Sequence, residues 1–213
     1  MGMVRILART ETVGLILAGG LARRMGGRAK AFLPFGGSDL VHRAIARLSP
    51  QCDRVIINAN RELERFAALG LPVVSDTVAG FAGPLAGILT GLDWLAAHAP
   101  TARVLSVPVD GPFFPDDLGT RLKAAEAQGA TVACAQSGGR RHGVYALWPA
   151  EMREGLRRGI TIDGVRKVEA RLAQLNVASA EWPTLPFDPF FNVNTPDDLA
   201  LAEEHLRWLA SGT

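Results

Sequence analysis

A loop rich in glycine and basic residues follows the first apolar run of the chain. Residues 19–30 read GGLARRMGGRAK, with four glycines and four cationic side chains. Glycine lets backbone N–H groups approach an anion closely, and Arg and Lys add positive charge. The loop contains neither GxxxxGK(S/T) nor GxGxxG, the two common phosphate-binding motifs. We interpret it, with Lys30 at its end, as a site for a nucleoside triphosphate; a structural turn is the alternative.

A single acidic residue follows the fourth apolar run. Asp110 lies between Pro108 and Pro112, three positions after the end of the run at 103–107 (RVLSV). An acid in such a position is costly unless it holds a cation or a hydrogen-bond network. Mg²⁺ commonly binds through one or two carboxylates plus substrate phosphates, so Asp110 is a candidate magnesium ligand; a cap of the next turn is the alternative. Asn58 and Asp76 are weaker candidates at similar places.

The elements that must position these residues alternate between strands and helices. Short apolar runs predict strands at 13–17, 54–58, 72–74 and 103–107. Apolar stripes at helical spacing lie between or after them, at 40–48, 85–95 and 118–125. This alternation predicts right-handed crossovers and a parallel sheet covered on both faces. In such sheets ligands bind beyond the carboxyl ends of the strands, where Lys30, Asn58 and Asp110 would lie.

The second half of the chain is less regular. We predict strands at 131–135 and 144–147 with a turn at 137–139, and a helix around 162–172. Thr195 and Pro196 are typical of a helix start, followed by acidic residues in the first turn, and this last helix should run through Trp208. No internal repeat or linker divides the sequence, so one α/β domain is expected.

Composition excludes several classes of protein. The 213 residues are 48% hydrophobic and 21% charged, which excludes wholesale disorder, and the net charge of +2 makes no case for nucleic-acid binding. Cys52 and Cys134 form no CxxC pair, so we expect two reduced, buried thiols. The longest uncharged run, 77–92, is too short and too interrupted to cross a membrane, and no signal peptide is recognisable. A cytoplasmic protein without membrane contact is expected.

Six sequence blocks, taken in order, resemble one known enzyme family. They are LAGG at 17–20, RMGG at 24–27 with Lys30, NANR at 58–61, GPLAG at 83–87, PVDGP at 108–112 and FNVNTP at 191–196. Together they are similar to the nucleotidyltransferases that make molybdenum-cofactor dinucleotides, and in particular to the molybdenum cofactor guanylyltransferases. The resemblance implies a single-domain, three-layer Rossmann-like fold of the nucleotide-diphospho-sugar transferase type, with a mostly parallel sheet and helices on both faces. The domain would span 1–213, with a core at about 13–210 and an N-terminal extension at 1–12.

The resemblance also implies a reaction and its participants. The family transfers GMP from GTP to the terminal phosphate of molybdopterin and releases pyrophosphate, with Mg²⁺ as cofactor. Transient contact with molybdenum-insertion or target-enzyme chaperone proteins would accompany this function. The implied catalytic residues are Lys30, Asp110 and Arg24, with Asp110 as metal ligand. The implied nucleotide-binding residues are Leu17, Ala18, Gly19, Gly20, Lys30, Asn58, Asp76 and Asp110. The candidate acceptor-binding residues are Asn192, Asn194 and His142, the last in a glycine-flanked turn.

Two other functions remain open at this point. The first is a relative that uses another donor or acceptor, a cytidylyltransferase or a sugar-phosphate nucleotidyltransferase. The cytidylyltransferase relatives carry Ala where this chain has Gly19, and the missing side chain favours a purine. The second is a non-catalytic nucleotide-binding regulatory module, because Ala29 stands where the family usually has an acid. The presence of both Lys30 and Asp110 argues against this second alternative.

Overall fold

Seven of nine strands form one sheet in the computed structural model, which describes residues 11–19, 29–80 and 83–212. The strands are β1 (Thr12–Leu17), β2 (Pro34–Phe35), β3 (Ser38–Asp39), β4 (Arg54–Asn58), β5 (Val73–Val74), β6 (Arg103–Pro108), β7 (Val132–Ser137), β8 (Arg140–Pro149) and β9 (Val177–Trp182). The order across the sheet is β5-β4-β1-β6-β8-β7-β9, and β2 and β3 form a separate hairpin. Only β8 runs antiparallel to its sheet neighbours, so the predicted mostly parallel sheet is confirmed.

Helices cover both faces of this sheet. They are α1 (Leu40–Leu48), α2 (Leu63–Ala67), α3 (Pro84–His98), α4 (Leu118–Glu126), α5 (Met152–Thr161), α6 (Val168–Leu172) and α7 (Pro196–Ala210). One hydrophobic core lies between the sheet and helices α1, α2 and α4, and a second between the sheet and helices α3, α5 and α6. Successive residues of β1 alternate between these cores, because strand side chains point to opposite faces. The three-layer α/β prediction is therefore confirmed.

The three central strands end at one level. Leu17 at the end of β1 pairs with Asn58 of β4 on one side and with Pro108 of β6 on the other. The chain segments that follow these parallel strands therefore emerge side by side. Helix α7 reaches the same edge: Thr195 and Asp198 form a capping box at its start, which confirms the predicted helix beginning.

The second half departs from the sequence prediction at several places. The helical stretch predicted around 162–172 is confirmed only over its end: α5 ends before Ile162, which is 73% exposed, and α6 begins only at Val168. Gly164 between them has a φ of 67°, a left-handed conformation that interrupts a helix. Strand β9 was not predicted.

Among the described residues, no helix combines the length and apolar character that a membrane span requires.

The two cysteines agree with the prediction of unpaired thiols. Cys52 is half-buried and Cys134 is buried, and both are free. Burial raises the pKa of the Cys52 thiol to about 12, so it stays protonated and unreactive at neutral pH. Neither residue contributes to the cavity described below.

Candidate active site

A cavity of about 470 Å³ lies at the carboxyl edge of the central strands. Its lining residues come from the segments that follow β1, β4, β5 and β6, from the start of α3, from β8 and from the segment before α7. They are Leu17, Gly19, Lys30, Asn58, Asn60, Asp76, Gly83, Pro84, Pro108, Val109, Asp110, Val144 and Asn192. A volume of this size is typical of small-molecule sites, and its place agrees with the binding rule for open α/β sheets.

Lys30 and Asp110 form an ion pair at the centre of one wall. The Lys30 Nζ lies 2.7 Å from the Asp110 Oδ2 and 2.7 Å from the Asn194 Oδ1, to which it also donates. The two charged side chains are only 11% and 18% exposed, so each neutralises a charge that would be costly to leave alone in this partly buried position. The structure thus joins the predicted phosphate ligand, the predicted metal ligand and a predicted acceptor residue in one cluster.

A second polar cluster faces it across the ends of β4 and β5. Asp76 is held at both carboxylate oxygens: Asn58 Nδ2 donates to Oδ1 at 2.9 Å, and Asn60 Nδ2 donates to Oδ2 at 2.8 Å. The Asp76 backbone N–H donates in return to the Asn60 side chain, at 2.8 Å. Asn58 is 3% exposed and also donates to the Val74 carbonyl oxygen. Both nitrogen donors are thereby fixed, and the carboxylate is a rigid acceptor on the cavity wall.

Two glycines determine how closely the backbone approaches this cluster. A Cβ on Gly87 of α3 would lie 2.4 Å from the Asn58 Oδ1 and 2.6 Å from Leu17 Cδ2, so only glycine lets α3 pack here. A Cβ on Gly19 would lie 3.4 Å from Asn60 Nδ2 and 3.8 Å from the Asn58 Oδ1, both ordinary contacts. Gly19 is not left-handed, so its lack of a side chain leaves space in the cavity rather than permitting a turn.

The part of the wall that contains Asn192 rests on a fully buried tyrosine. Tyr145 donates its hydroxyl to the Asn192 Oδ1 at 3.1 Å, and Val193 N–H donates to the Asp110 carbonyl oxygen at 2.8 Å. Burial raises the pKa of Tyr145 well above its ordinary value, and the negative charges of Asp110 and Asp188 raise it further. The hydroxyl therefore remains a donor throughout the physiological pH range.

A three-residue bulge in β8 orients this tyrosine toward the site. Cys134 of β7 pairs with Ala146, but the next residue, Ala135, pairs with His142, so residues 143–145 have no partner on β7. Bulges re-aim side chains next to functional sites. Here the bulge directs Val144 to the cavity and Tyr145 to Asn192. Ser106 donates its hydroxyl to the Val144 carbonyl oxygen at 2.8 Å, which satisfies a backbone acceptor that the bulge leaves outside the ladder.

The predicted placement of His142 in a turn is wrong. His142 belongs to β8, is 8% exposed and stacks on Phe190 with the ring centroids 4.7 Å apart. Its Nε2 lies 2.7 Å from the Ser137 Oγ, which donates its one proton to Asp188 at 2.9 Å. Burial lowers the pKa of His142, so the ring is neutral at pH 7. This partnered ring is not part of the cavity wall, and an acceptor role for it stays a prediction.

The other predicted site residues divide into three groups. Those on the cavity wall are Leu17, Gly19, Lys30, Asn58, Asp76, Asp110 and Asn192. Asn194 joins them through Lys30, whereas Ala18 is 6% exposed and packs in the core. Arg24 and Gly20 lie outside the described residues. Asn60 and Tyr145 were not predicted as site residues; Asn60 could have been, because it lies two positions after Asn58 in the same NANR block.

Comparison with known proteins agrees with this arrangement. Residues 14–176 match the family described as the MobA-like NTP transferase domain. A molybdenum cofactor guanylyltransferase of Rhodopseudomonas palustris (strain BisB5) is 53% identical over 194 residues, which cover 90% of this chain and 92% of the relative. Nearly the same figures hold for a molybdenum cofactor guanylyltransferase of Bradyrhizobium sp. (strain ORS 278), 53% identical over 91% of this chain and 92% of the relative.

Solved structures agree in fold. The crystal structure of molybdopterin-guanine dinucleotide biosynthesis protein A from Archaeoglobus fulgidus superimposes with a TM-score of 0.73 at 25% identity, over 92% of this chain and 99% of that one. The blocks at the strand ends, the Lys30–Asp110 pair and the extent of these matches lead to one conclusion. The chain belongs to the family of MobA-like NTP transferases, together with the molybdenum cofactor guanylyltransferases.

Proposed function

We infer that the protein transfers the GMP unit of GTP to the terminal phosphate of molybdopterin and releases pyrophosphate. The observation that carries this inference is the pairing of Lys30 with Asp110 on the wall of a cavity at the carboxyl edge of the sheet. A cation and a carboxylate in this place suit a metal-associated triphosphate, and the named relatives supply the identity of donor and acceptor.

Asp110 suits a divalent cation that arrives with the nucleotide. The described residues contain no group of three or more His, Cys, Asp or Glu that could hold a metal by themselves. A single carboxylate is nevertheless sufficient for Mg²⁺ when substrate phosphates and water complete its shell. Asp110 Oδ2 is paired with Lys30, and the carboxylate lies on the cavity wall. When bound, Mg²⁺ would be held by Asp110 and would neutralise charge on the substrate phosphates.

The residues of the chain act mainly by positioning and by compensating charge. Lys30 holds the triphosphate and the departing pyrophosphate, exchanging its Asp110 partner for phosphate oxygens. A bond forms between an oxygen of the acceptor phosphate and the α-phosphorus, while the bond from that phosphorus to the pyrophosphate oxygen breaks. Arg24 and Gly20 stay predicted members of the phosphate site, because they lie outside the described residues.

The nucleoside occupies the side of the cavity formed by Gly19, Asn58 and Asp76. The fixed Asp76 carboxylate accepts hydrogen bonds from nucleoside donors, which include ribose hydroxyls and guanine N–H groups. Gly19 leaves room for a purine next to the backbone. The acceptor binds on the opposite side, near Asn192 and Asn194, where the segment before α7 reaches Asp110. A cytoplasmic location and transient contact with molybdenum-insertion or target-enzyme chaperones remain predictions.

Pyrophosphate release tests this function and its alternatives. The purified chain is incubated with GTP or CTP and Mg²⁺, with and without molybdopterin. We expect release with GTP that depends on molybdopterin. Release with CTP but not GTP would identify a cytidylyltransferase, and release with a sugar phosphate in place of molybdopterin a sugar-phosphate nucleotidyltransferase. Binding of GTP without release under any of these conditions would indicate the regulatory module.

A further inference from the structure

We propose that Tyr145 is a positioning residue for the acceptor substrate: it holds the Asn192 carboxamide so that the Asn192 amide N–H groups face the cavity and bind an acceptor phosphate. This inference rests on the proposed function, because it requires an acceptor with a phosphate. It assigns a task to the only tyrosine in the chain.

The buried hydroxyl determines the orientation of the Asn192 amide. Tyr145 is fully buried, and its bond to Asn192 Oδ1 at 3.1 Å is the one hydrogen bond that the described part of the chain gives this hydroxyl. A reversed amide would place N–H donors against the hydroxyl and leave the phenolic proton without an acceptor, which is costly in a buried position. The carboxamide oxygen of Asn192 therefore faces Tyr145.

The Asn192 amide nitrogen is then available to a ligand. Asn192 lines the cavity, and its Nδ2 has no hydrogen-bond partner among the described residues. Two N–H donors directed at an open cavity suit an anionic oxygen, and a phosphate is the anionic group of the acceptor. Lys30 donates to both Asp110 and Asn194 at the same wall and is the proposed ligand of the nucleotide phosphates.

Two tight glycine contacts hold the backbone around Tyr145. A Cβ on Gly111 would lie 1.6 Å from the Tyr145 hydroxyl oxygen and 3.1 Å from the Asn192 Oδ1, so only glycine at 111 permits this contact. A Cβ on Gly143, at the other end of the bulge, would lie 2.7 Å from Val168 Cγ1. Gly143 thus packs the start of the bulge against α6, and Gly111 leaves room for the Tyr145 hydroxyl beside Asn192. Tyr145 is not among the residues that line the cavity, so its effect passes through Asn192.

Removal of the hydroxyl tests the proposal. Tyr145→Phe keeps the ring and removes the donor, which frees the Asn192 amide to rotate. We expect the KM for molybdopterin to rise about tenfold, the size of effect typical of one lost hydrogen bond to a charged group. The Kd of GTP, measured by calorimetry, should not change. Thr12→Val is the matched control, because it removes a buried hydroxyl at the opposite end of the sheet.

A double-mutant cycle separates positioning from general damage. In an Asn192→Ala background, Tyr145→Phe should have no further effect on the acceptor KM, since the group that it orients is absent. Asn192→Asp gives an independent variant that leaves the tyrosine in place. It replaces the N–H donors by carboxylate oxygens and should raise the acceptor KM at least as much.

Each outcome bears on the proposal. Equal acceptor KM values for wild type and Tyr145→Phe, or for wild type and Asn192→Asp, would overturn it, as would additive effects in the cycle. A wild-type protein that turns over molybdopterin with GTP in the same experiment shows that the proposed function stands regardless. A wild-type protein that releases no pyrophosphate with molybdopterin would overturn the proposed function and, with it, this inference.

Discussion

Gly19→Ala is the substitution that most directly probes nucleotide choice. The added methyl would meet Asn60 Nδ2 at 3.4 Å and the Asn58 Oδ1 at 3.8 Å, distances that require no movement of the protein. The backbone of Gly19 is not left-handed, so alanine adds no strain there. The fold should therefore tolerate the substitution, and its whole effect should fall on the ligand in the cavity.

The size of that effect follows from what the methyl displaces. Gly19 is part of the cavity wall, and a purine lying against it would be pushed away, whereas a smaller pyrimidine has room to move. Overpacking by one methyl costs about 1–3 kcal/mol, or about ten- to two-hundredfold in relative efficiency. We expect the ratio of kcat/KM for GTP to that for CTP to fall within this range, with an unchanged melting temperature.

Steady-state kinetics with both nucleotides on wild type and variant provide the assay. Gly159→Ala in α5 is the matched control: its methyl would lie 3.7 Å from the Arg171 side chain of α6. Gly159 is not a residue of the cavity wall, so the ratio should not change. An unchanged ratio in Gly19→Ala, with or without lower activity, would refute the idea that Gly19 selects a purine. The choice of GTP would then have to come from other residues.

Three further substitutions test the cluster around the cavity. Asp110→Asn should lower turnover about a hundredfold or more while the fold persists, because it removes the metal ligand. Asp163→Asn, a change on the surface, is the control and should have no effect on turnover. Near-normal turnover in Asp110→Asn would contradict the assignment. Lys30→Ala should weaken GTP binding in calorimetry far more than guanosine binding, since only phosphates interact with its charge. Equal losses of affinity for GTP and guanosine would count against Lys30 as a phosphate ligand. Gly87→Ala should lower the free energy of unfolding by about 1–3 kcal/mol in urea denaturation, because its methyl would lie 2.4 Å from Asn58 Oδ1. A variant as stable as wild type would show that α3 can shift and would contradict this prediction.

The first half of the fold could be predicted because its strands lie under helices on both faces. Residues 13–17 and 54–58 read as uninterrupted apolar runs for this reason, and their bounds agree closely with β1 and β4. Strand β9, with the sequence VASAEW, lies at the sheet edge and is only partly buried, so it lacks such a run. The helix predicted across Gly164 failed because apolar spacing does not reveal a left-handed residue.

The site could be predicted in part. Lys30, Asn58 and Asp110 follow strands whose carboxyl ends must meet, so their proximity follows from topology. The hydrogen bond between Tyr145 and Asn192 could not be predicted, because it depends on a bulge in the register of β8 against β7. A register is a property of the pairing of two strands, and neither strand's sequence states it alone.

The fate of the α-phosphorus of GTP tests the central claim most directly. GTP labelled at the α-phosphorus, and in a parallel reaction at the γ-phosphorus, is incubated with the protein, Mg²⁺ and molybdopterin, and the acceptor product is isolated. Transfer of a GMP unit predicts that the α-label appears in the acceptor together with guanine, and that the γ-label appears only in pyrophosphate. Transfer of the γ-label to the acceptor, or recovery of both labels in free nucleotide, would contradict the account.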